Sequence, residues 1–150
     1  MTVYRHILAV VDLTDDSDVI ARRALQIAGL TGAQVSMLHV VEFVPVEPLG
    51  ETLMPAVQIE EELVERGKQR LAELAARIGV ALNSQQVATG NIKAEIVRAA
   101  EEQRADLIVI GSRERHGLSI LVNLTEDTVL HAAPCDVLAV RLKPGAARTS

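Results

Sequence analysis

The chain has 150 residues, enough for one domain whose core removes most of its apolar surface from water and too few for a second. Hydrophobic residues make up 49% of it and aromatic residues only 1%, so the core has to be built from Val, Leu, Ile and Ala, with Tyr4 and Phe43 as the only rings, which argues against nucleic-acid recognition by base stacking. The formal net charge is −5 and the basic residues are dispersed, leaving no electrostatic footprint for phosphate backbones, while the single cysteine, Cys135, excludes an internal disulfide and fits a reducing compartment.

The opening MTVYRHILAVVDL carries a short apolar run that meets Asp12, too brief for a signal peptide or a membrane span, so a cytoplasmic location without membrane partners is expected. Residues 3–11 (VYRHILAVV) predict a central strand, because 7–11 is apolar on both faces. Residues 16–30 place Val19, Ile20, Ala24, Leu25, Ile27 and Ala28 at helical spacing, with Ser17 or Asp16 as the N-cap and Gly32 just past the end. Residues 34–41 (QVSMLHVV) predict a second strand.

Pro45, Pro48 and Pro55 with Gly50 make 42–57 a long loop by expectation, since repeated proline breaks both helix and ladder. Residues 58–78 follow as a long amphipathic helix with a stripe of Ile59, Leu63, Leu71, Leu74, Ala75 and Ile78, and with Glu60, Glu61, Glu65, Arg66, Lys68 and Arg70 facing water. Gly79 ends it, and the polar run 83–89 predicts an edge strand. A helix over 91–102, capped by Asn91, buries Ile92, Ile96, Val97 and Ala100. A fourth strand over 106–110 meets a turn running from Gly111 to Gly117, a last helix spans 119–132, and 137–142 (VLAVRL) is a fifth strand.

Alternating strands and helices imply an α/β fold: a five-stranded parallel Rossmann-like sheet of order 3-2-1-4-5 with helices on both faces, as one domain over 1–143 with a polar tail at 144–150. Ligands of such sheets bind beyond the carboxyl ends of the strands where the winding reverses, which gathers Asp12, Val41 and the turn after strand four around one crevice.

The segments ILAVVDLTDDS, ADLIVIGSRERHGLS and HAAPCDVLAVR resemble the first strand with its acidic turn and the last strand–helix–strand unit of the universal stress protein family, and the resemblance covers essentially the whole chain. It implies a Rossmann-like fold, homodimers paired through the last strand, a role in stress resistance and, in one branch, ATP binding. That branch resembles a pattern of glycine, two residues, glycine, nine residues, then glycine and a hydroxyl residue, in which bare backbone lets amides approach phosphates. Here Gly111 supplies the first glycine, Glu114 stands in place of the second, and Asn123, Leu124 and Thr125 stand where the third would fall. A carboxylate about 4 Å from a phosphate opposes binding by roughly 1 to 4 kcal/mol. The departures point to the branch without the glycine pattern: a non-enzymatic homodimer acting through partners, with no cofactor expected and no tight ATP.

The alternative is an adenine-nucleotide (ATP or AMP) switch with at most slow ATPase activity, because Arg113, Arg115 and His116 could supply positive charge from the same loop. Its binding residues would be Asp12, Val41, Gly111, Ser112, Arg113, Gly117, Asn123 and Thr125. The plain readings stand beside these. Asp12 serves equally well as a turn aspartate that starts the first helix, and Asp15, Asp16 and Asp18 are better explained as helix N-terminal charges than as metal ligands. His6, His39, His116 and His131 include no pair at metal spacing; the first two are expected to pack within strands. VIGSRE is not a nucleophile elbow at Ser112, so no catalytic residue is assigned, and Cys135 is expected as a small buried residue.

Overall fold

A strand that is apolar on both faces has to lie inside a sheet that is covered on both sides, and the first strand meets this demand. In the computed structural model, which describes residues 3–14, 16–42, 53–80, 84–113, 129 and 131–142, β1 (His6–Val10) is the middle strand of a five-stranded sheet of order β3-β2-β1-β4-β5. The other elements are α1 (Ser17–Thr31), β2 (Gln34–Val41), α2 (Leu53–Ile78), β3 (Gln85–Thr89), α3 (Ile92–Gln103), β4 (Leu107–Arg113) and β5 (Asp136–Leu142). Every pairing is parallel, with Leu8 opposite Ser36 on one side and Ile108 on the other. The expected order is observed.

Alternation along the strands divides the core in two. Ile7, Ala9, Val11, Met37, Leu107 and Val109 pack with Ile20, Ala24, Leu71, Leu74 and Ala75 under α1 and α2. Leu8, Val10, Leu38, Val40, Ile108 and Ile110 pack with Ile96, Ala99, Ala100 and Val129 under α3 and the end of the last helix. Val129 is fully buried and Ala133 N–H donates to its carbonyl at 2.8 Å, which agrees with a helix ending near 132; residues 114–128 and 130 lie outside the described residues.

The helix ends follow local chemistry. Gly32 closes α1 in the left-handed conformation at φ 79°, and Asn91 caps α3 with its side-chain oxygen accepting from Ala94 N–H at 2.9 Å. Asp16 occupies the N-cap position of α1, but its side chain makes no capping bond to the helix.

Three expectations are corrected. The proline-rich loop does not reach 57: α2 begins at Leu53, with Pro55 in its first turn, where a missing N–H costs nothing because no intrahelical acceptor faces it. The apolar stripe of α2 is not buried along its whole length, since Ile59 and Leu63 are exposed while Gly67, Leu71, Leu74 and Ala75 are buried. The helix outruns the short strands that it covers, so its first half extends past their carboxyl ends. Finally, β4 does not stop at Ile110: Gly111, Ser112 and Arg113 continue the ladder opposite Val140, Arg141 and Leu142. On α3, Ile92 and Val97, expected to be buried, are half-buried, and Ala99 is buried with Ile96 and Ala100.

Candidate functional site

The turn after β1 is built around one carboxylate oxygen. Asp12 Oδ1 accepts from Thr14 N–H at 3.1 Å, from Thr14 Oγ1 at 2.7 Å and from Ser17 Oγ at 3.2 Å, and Ser17 is itself buried. The aspartate thus closes the turn and ties it to the first residue of α1, the job that a capping side chain would do one turn later. Between them Leu13 takes a left-handed conformation, φ 62°, which costs a non-glycine residue about 1 kcal/mol or more. Its side chain, 8% exposed, fills the core under α1 and α2, and its carbonyl accepts from Arg70 Nη2 of α2 at 2.9 Å.

Two hollows flank this bridge. One, of about 270 Å³, lies at the carboxyl ends of β1 and β2 and is lined by Asp12, Leu13, His39, Val40, Val41, Glu42, Leu63, Arg66, Gly67 and Arg70. The other, of about 420 Å³, lies between α1 and α2 and is lined by Leu13, Thr14, Ser17, Asp18, Arg70, Glu73, Leu74 and Arg77. In the second, Arg77 grips Asp18 through two bonds, Nε to Oδ2 at 3.1 Å and Nη2 to Oδ1 at 2.8 Å, and this hydrogen bonding holds the Asp18 carboxyl below its ordinary range. Of its charged lining, Asp18 and Arg77 are thereby paired with each other. The first hollow brings together two of the parts expected around the crevice, Asp12 and Val41, and its other wall is α2; no described residue of β4 lines it.

His39 stands behind the crevice wall. Its Nδ1 lies 2.9 Å from the Val11 carbonyl, an acceptor, so the ring carries a proton on Nδ1. The ring also explains a glycine in mid-helix: a Cβ on Gly67 would come within 3.2 Å of His39 Cδ2 and 3.5 Å of Val87 Cγ1. The missing side chain lets α2 approach β2 and β3 closely at the edge of the crevice.

Of the eight residues in the nucleotide reading, Asp12 and Val41 line the crevice together, and the Val41 carbonyl accepts from Gly90 N–H at 3.1 Å. Gly111 and Ser112 lie on β4, in the ladder with β5 rather than in a turn, because β5 supplies partners as far as Leu142; Arg113 is the last residue of that ladder. The glycine has a packing reason of its own: a Cβ there would fall 2.8 Å from both Ile20 Cδ1 and Leu142 Cδ1. Gly117, Asn123 and Thr125 lie outside the described residues, as do Glu114, Arg115 and His116.

Arg66, Arg70, His39, Leu63, Glu42 and Gly67 also line the crevice, and no motif marks them as site residues. Arg66 and Arg70 were expected to face water, and both are exposed, yet they do so at the mouth of the crevice. The available signal was the succession of Leu63, Arg66, Gly67 and Arg70 at three- and four-residue steps, with a glycine where a helix ordinarily avoids one.

The other singled-out residues hold the opposite end of the sheet together. His6 Nε2 lies 2.7 Å from Ser36 Oγ, and the Asp106 carboxylate accepts from the backbone of Arg5 at 2.9 Å and of His6 at 3.1 Å. Tyr4 OH donates to Asp136 Oδ2 at 3.0 Å, a bond that raises the phenol pKa. Cys135 is a half-buried free thiol, and burial, with the charges of Asp136 and Asp106, pushes its pKa up, away from a reactive thiolate. Among the described residues no group of three or more His, Cys, Asp or Glu could hold a metal ion, and no helix is long and apolar enough to cross a membrane.

The comparisons with known proteins agree with this architecture. The family model for the universal stress protein family matches residues 3–141. Universal stress protein A homolog 1 of Coxiella burnetii is 36% identical over 141 residues, covering 93% of this chain and 98% of its own; homolog 2 of the same organism is 34% identical over 144 residues, covering 95% and 99%. Among solved structures, universal stress protein UspA from Lactobacillus plantarum superposes with a TM-score of 0.68 at 22% identity over 92% of this chain and 98% of its own. A universal stress protein in complex with cAMP superposes with a TM-score of 0.58 at 20% identity over 91% and 96%. At such identities these two structures speak for the fold alone, while the family match and the Coxiella relatives speak for descent. The chain belongs to the universal stress protein family.

Proposed function

We propose that this chain is a non-enzymatic stress-response protein of the cytoplasm that works as a homodimer through protein partners, and that its crevice does not hold ATP tightly. The observation that carries the nucleotide part is the state of Asp12, whose Oδ1 takes three donors from its own turn and is thereby committed to starting α1. Two further points support it: Gly111 is accounted for by packing against Ile20 and Leu142, and Glu114 puts a negative charge where the second glycine of the phosphate pattern would stand. Isothermal titration with ATP and magnesium tests the reading. No binding at micromolar concentration is expected, and Glu114→Gly is expected to gain at least about fivefold in affinity, the low end of the Coulomb cost of a neighbouring carboxylate. Micromolar binding by the unaltered chain would overturn it.

The dimer reading is supported by β5, which pairs with β4 along one side and, among the described residues, meets no strand on the other. A parallel edge of seven residues carrying Val137, Leu138 and Ala139 is the kind of edge that proteins cover. Light scattering is expected to give twice the 16.2 kDa chain mass at high micromolar concentration, and a monomer mass there would refute the pairing.

A second reading, an adenine-nucleotide switch, is favoured by one specific observation: Asp12 and Val41 line the same open hollow at the carboxyl ends of β1 and β2. A fold neighbour seen in complex with cAMP supports it. Nucleotide released from the purified protein on denaturation would favour this reading over the first.

A further inference from the structure

We infer that Arg66 and Arg70 of α2 form an anion-receiving wall of the crevice, so that the crevice takes a compact ligand with one anionic group and, on its far side, hydrogen-bond donors. The inference deepens the second reading and rests on the crevice being a ligand site. It places the anion on the second crossover helix instead of on the loop after β4.

Arg66 and Arg70 are one helical turn apart, so their side chains emerge as neighbours about 6 Å apart at Cβ on the flank of α2 that borders the hollow. Among the described residues no carboxylate pairs with Arg66, whereas Lys68, Arg77, Arg22 and Arg98 all have one. Arg70 gives one N–H of its fork to the Leu13 carbonyl, a neutral acceptor, so the rest of the guanidinium keeps both its charge and its donors. That bond fixes the plane of the fork, which lowers the ordering cost of receiving an oxyanion. Gly67, beside them, lets this stretch of α2 sit close to His39 and Val87, which holds both arginines near the strand ends.

The opposite wall bears the other sign. Asp12 and Glu42 sit at the strand ends, and with Arg66 and Arg70 they make the hollow neutral as a whole but polar across its width. Its apolar lining comes from Val40, Val41 and Leu63. A ligand that fits has a flat or apolar body against these residues, donors toward the Glu42 carboxylate and one anion toward the two guanidiniums. At about 270 Å³ the hollow is at the small end of ligand pockets, which favours one charged group over a polyphosphate chain.

The probes are AMP, adenosine and inorganic phosphate, titrated by protein NMR against the unaltered chain and three variants. AMP is expected to bind at least tenfold more tightly than adenosine, and Arg66→Gln is expected to abolish that preference while leaving adenosine affinity unchanged. Arg66 is exposed and Arg66→Gln leaves the core intact, so the variant folds. Lys68→Gln removes the same charge from another flank of the helix, and Glu114→Gln alters the loop after β4; both are expected to keep the preference within twofold. Inorganic phosphate is expected to shift the Gly67 amide in the unaltered chain and not in Arg66→Gln. Equal affinity for AMP and adenosine, or a preference that survives Arg66→Gln, would overturn the anion wall and leave the crevice as a site for an uncharged ligand. Binding of none of the three probes would overturn the crevice reading itself, and the wall with it.

Discussion

Ile108→Ala is expected to lower the unfolding free energy by about 3–4 kcal/mol, the cost of a large-to-small change at a site that cannot collapse. Ile108 is fully buried on β4, between β1 and β5, and shares its face of the sheet with Leu8, Ile110, Ile96 and Val129. Strands on both sides and helices above hold the vacated volume open, so the transfer cost and the cavity cost both apply. Urea unfolding followed by circular dichroism checks it: the midpoint falls and the slope stays constant, and the melting temperature drops by about 10 °C for a chain of this size. Ile108→Val, which removes one methylene, is expected to cost about 1 kcal/mol. A loss below about 1 kcal/mol for the alanine variant would mean that this layer of the core is not tightly packed.

Asp12→Ala is expected to cost about 2–3 kcal/mol, because hydrogen bonds to a charged acceptor are worth about 1.5–3 kcal/mol and a buried Ser17 hydroxyl is left without its partner. Asp12→Asn keeps a side-chain oxygen at the same place and is expected to lose about half as much. The pair separates the two roles of this residue. A turn aspartate shows itself as lost stability in the alanine variant with about half of it restored by asparagine; a pure ligand residue would leave the melting temperature of both variants where it was. Thermal unfolding without any nucleotide is the measurement, and equal stability of Asp12→Ala and the parent chain would refute the turn role.

The sheet order was legible because alternation of strand and helix, together with the two-faced apolar run at 7–11, leaves few windings open. The boundaries that moved did so where a local signal met a nonlocal one. Gly111 looked like the end of a strand, but the ladder is decided by what stands opposite, and β5 continues opposite it to Leu142. Pro55 looked like part of a loop, but proline in a first helical turn breaks no bond. Ile59 and Leu63 fitted the apolar stripe, but a stripe is buried only as far as the sheet beneath it extends. Two of the ten residues lining the crevice were legible for a related reason: Asp12 and Val41 stand at strand ends and so announce their place, whereas Arg66 and Arg70 belong to a helix whose periodicity reports the core and not the rim.

The Leu13 backbone has a mechanical consequence. Its left-handed peptide is held from three sides at once: its side chain by the core under α1 and α2, its carbonyl by Arg70, and its neighbours by the carboxylate of Asp12. Such a residue cannot relax by a local rotation, since any move that frees the carbonyl also pulls an isobutyl group out of the apolar layer. The turn and the second crossover helix therefore open together or not at all, as one cooperative unit. The bond from Arg70 thus ties the floor of the crevice to α2.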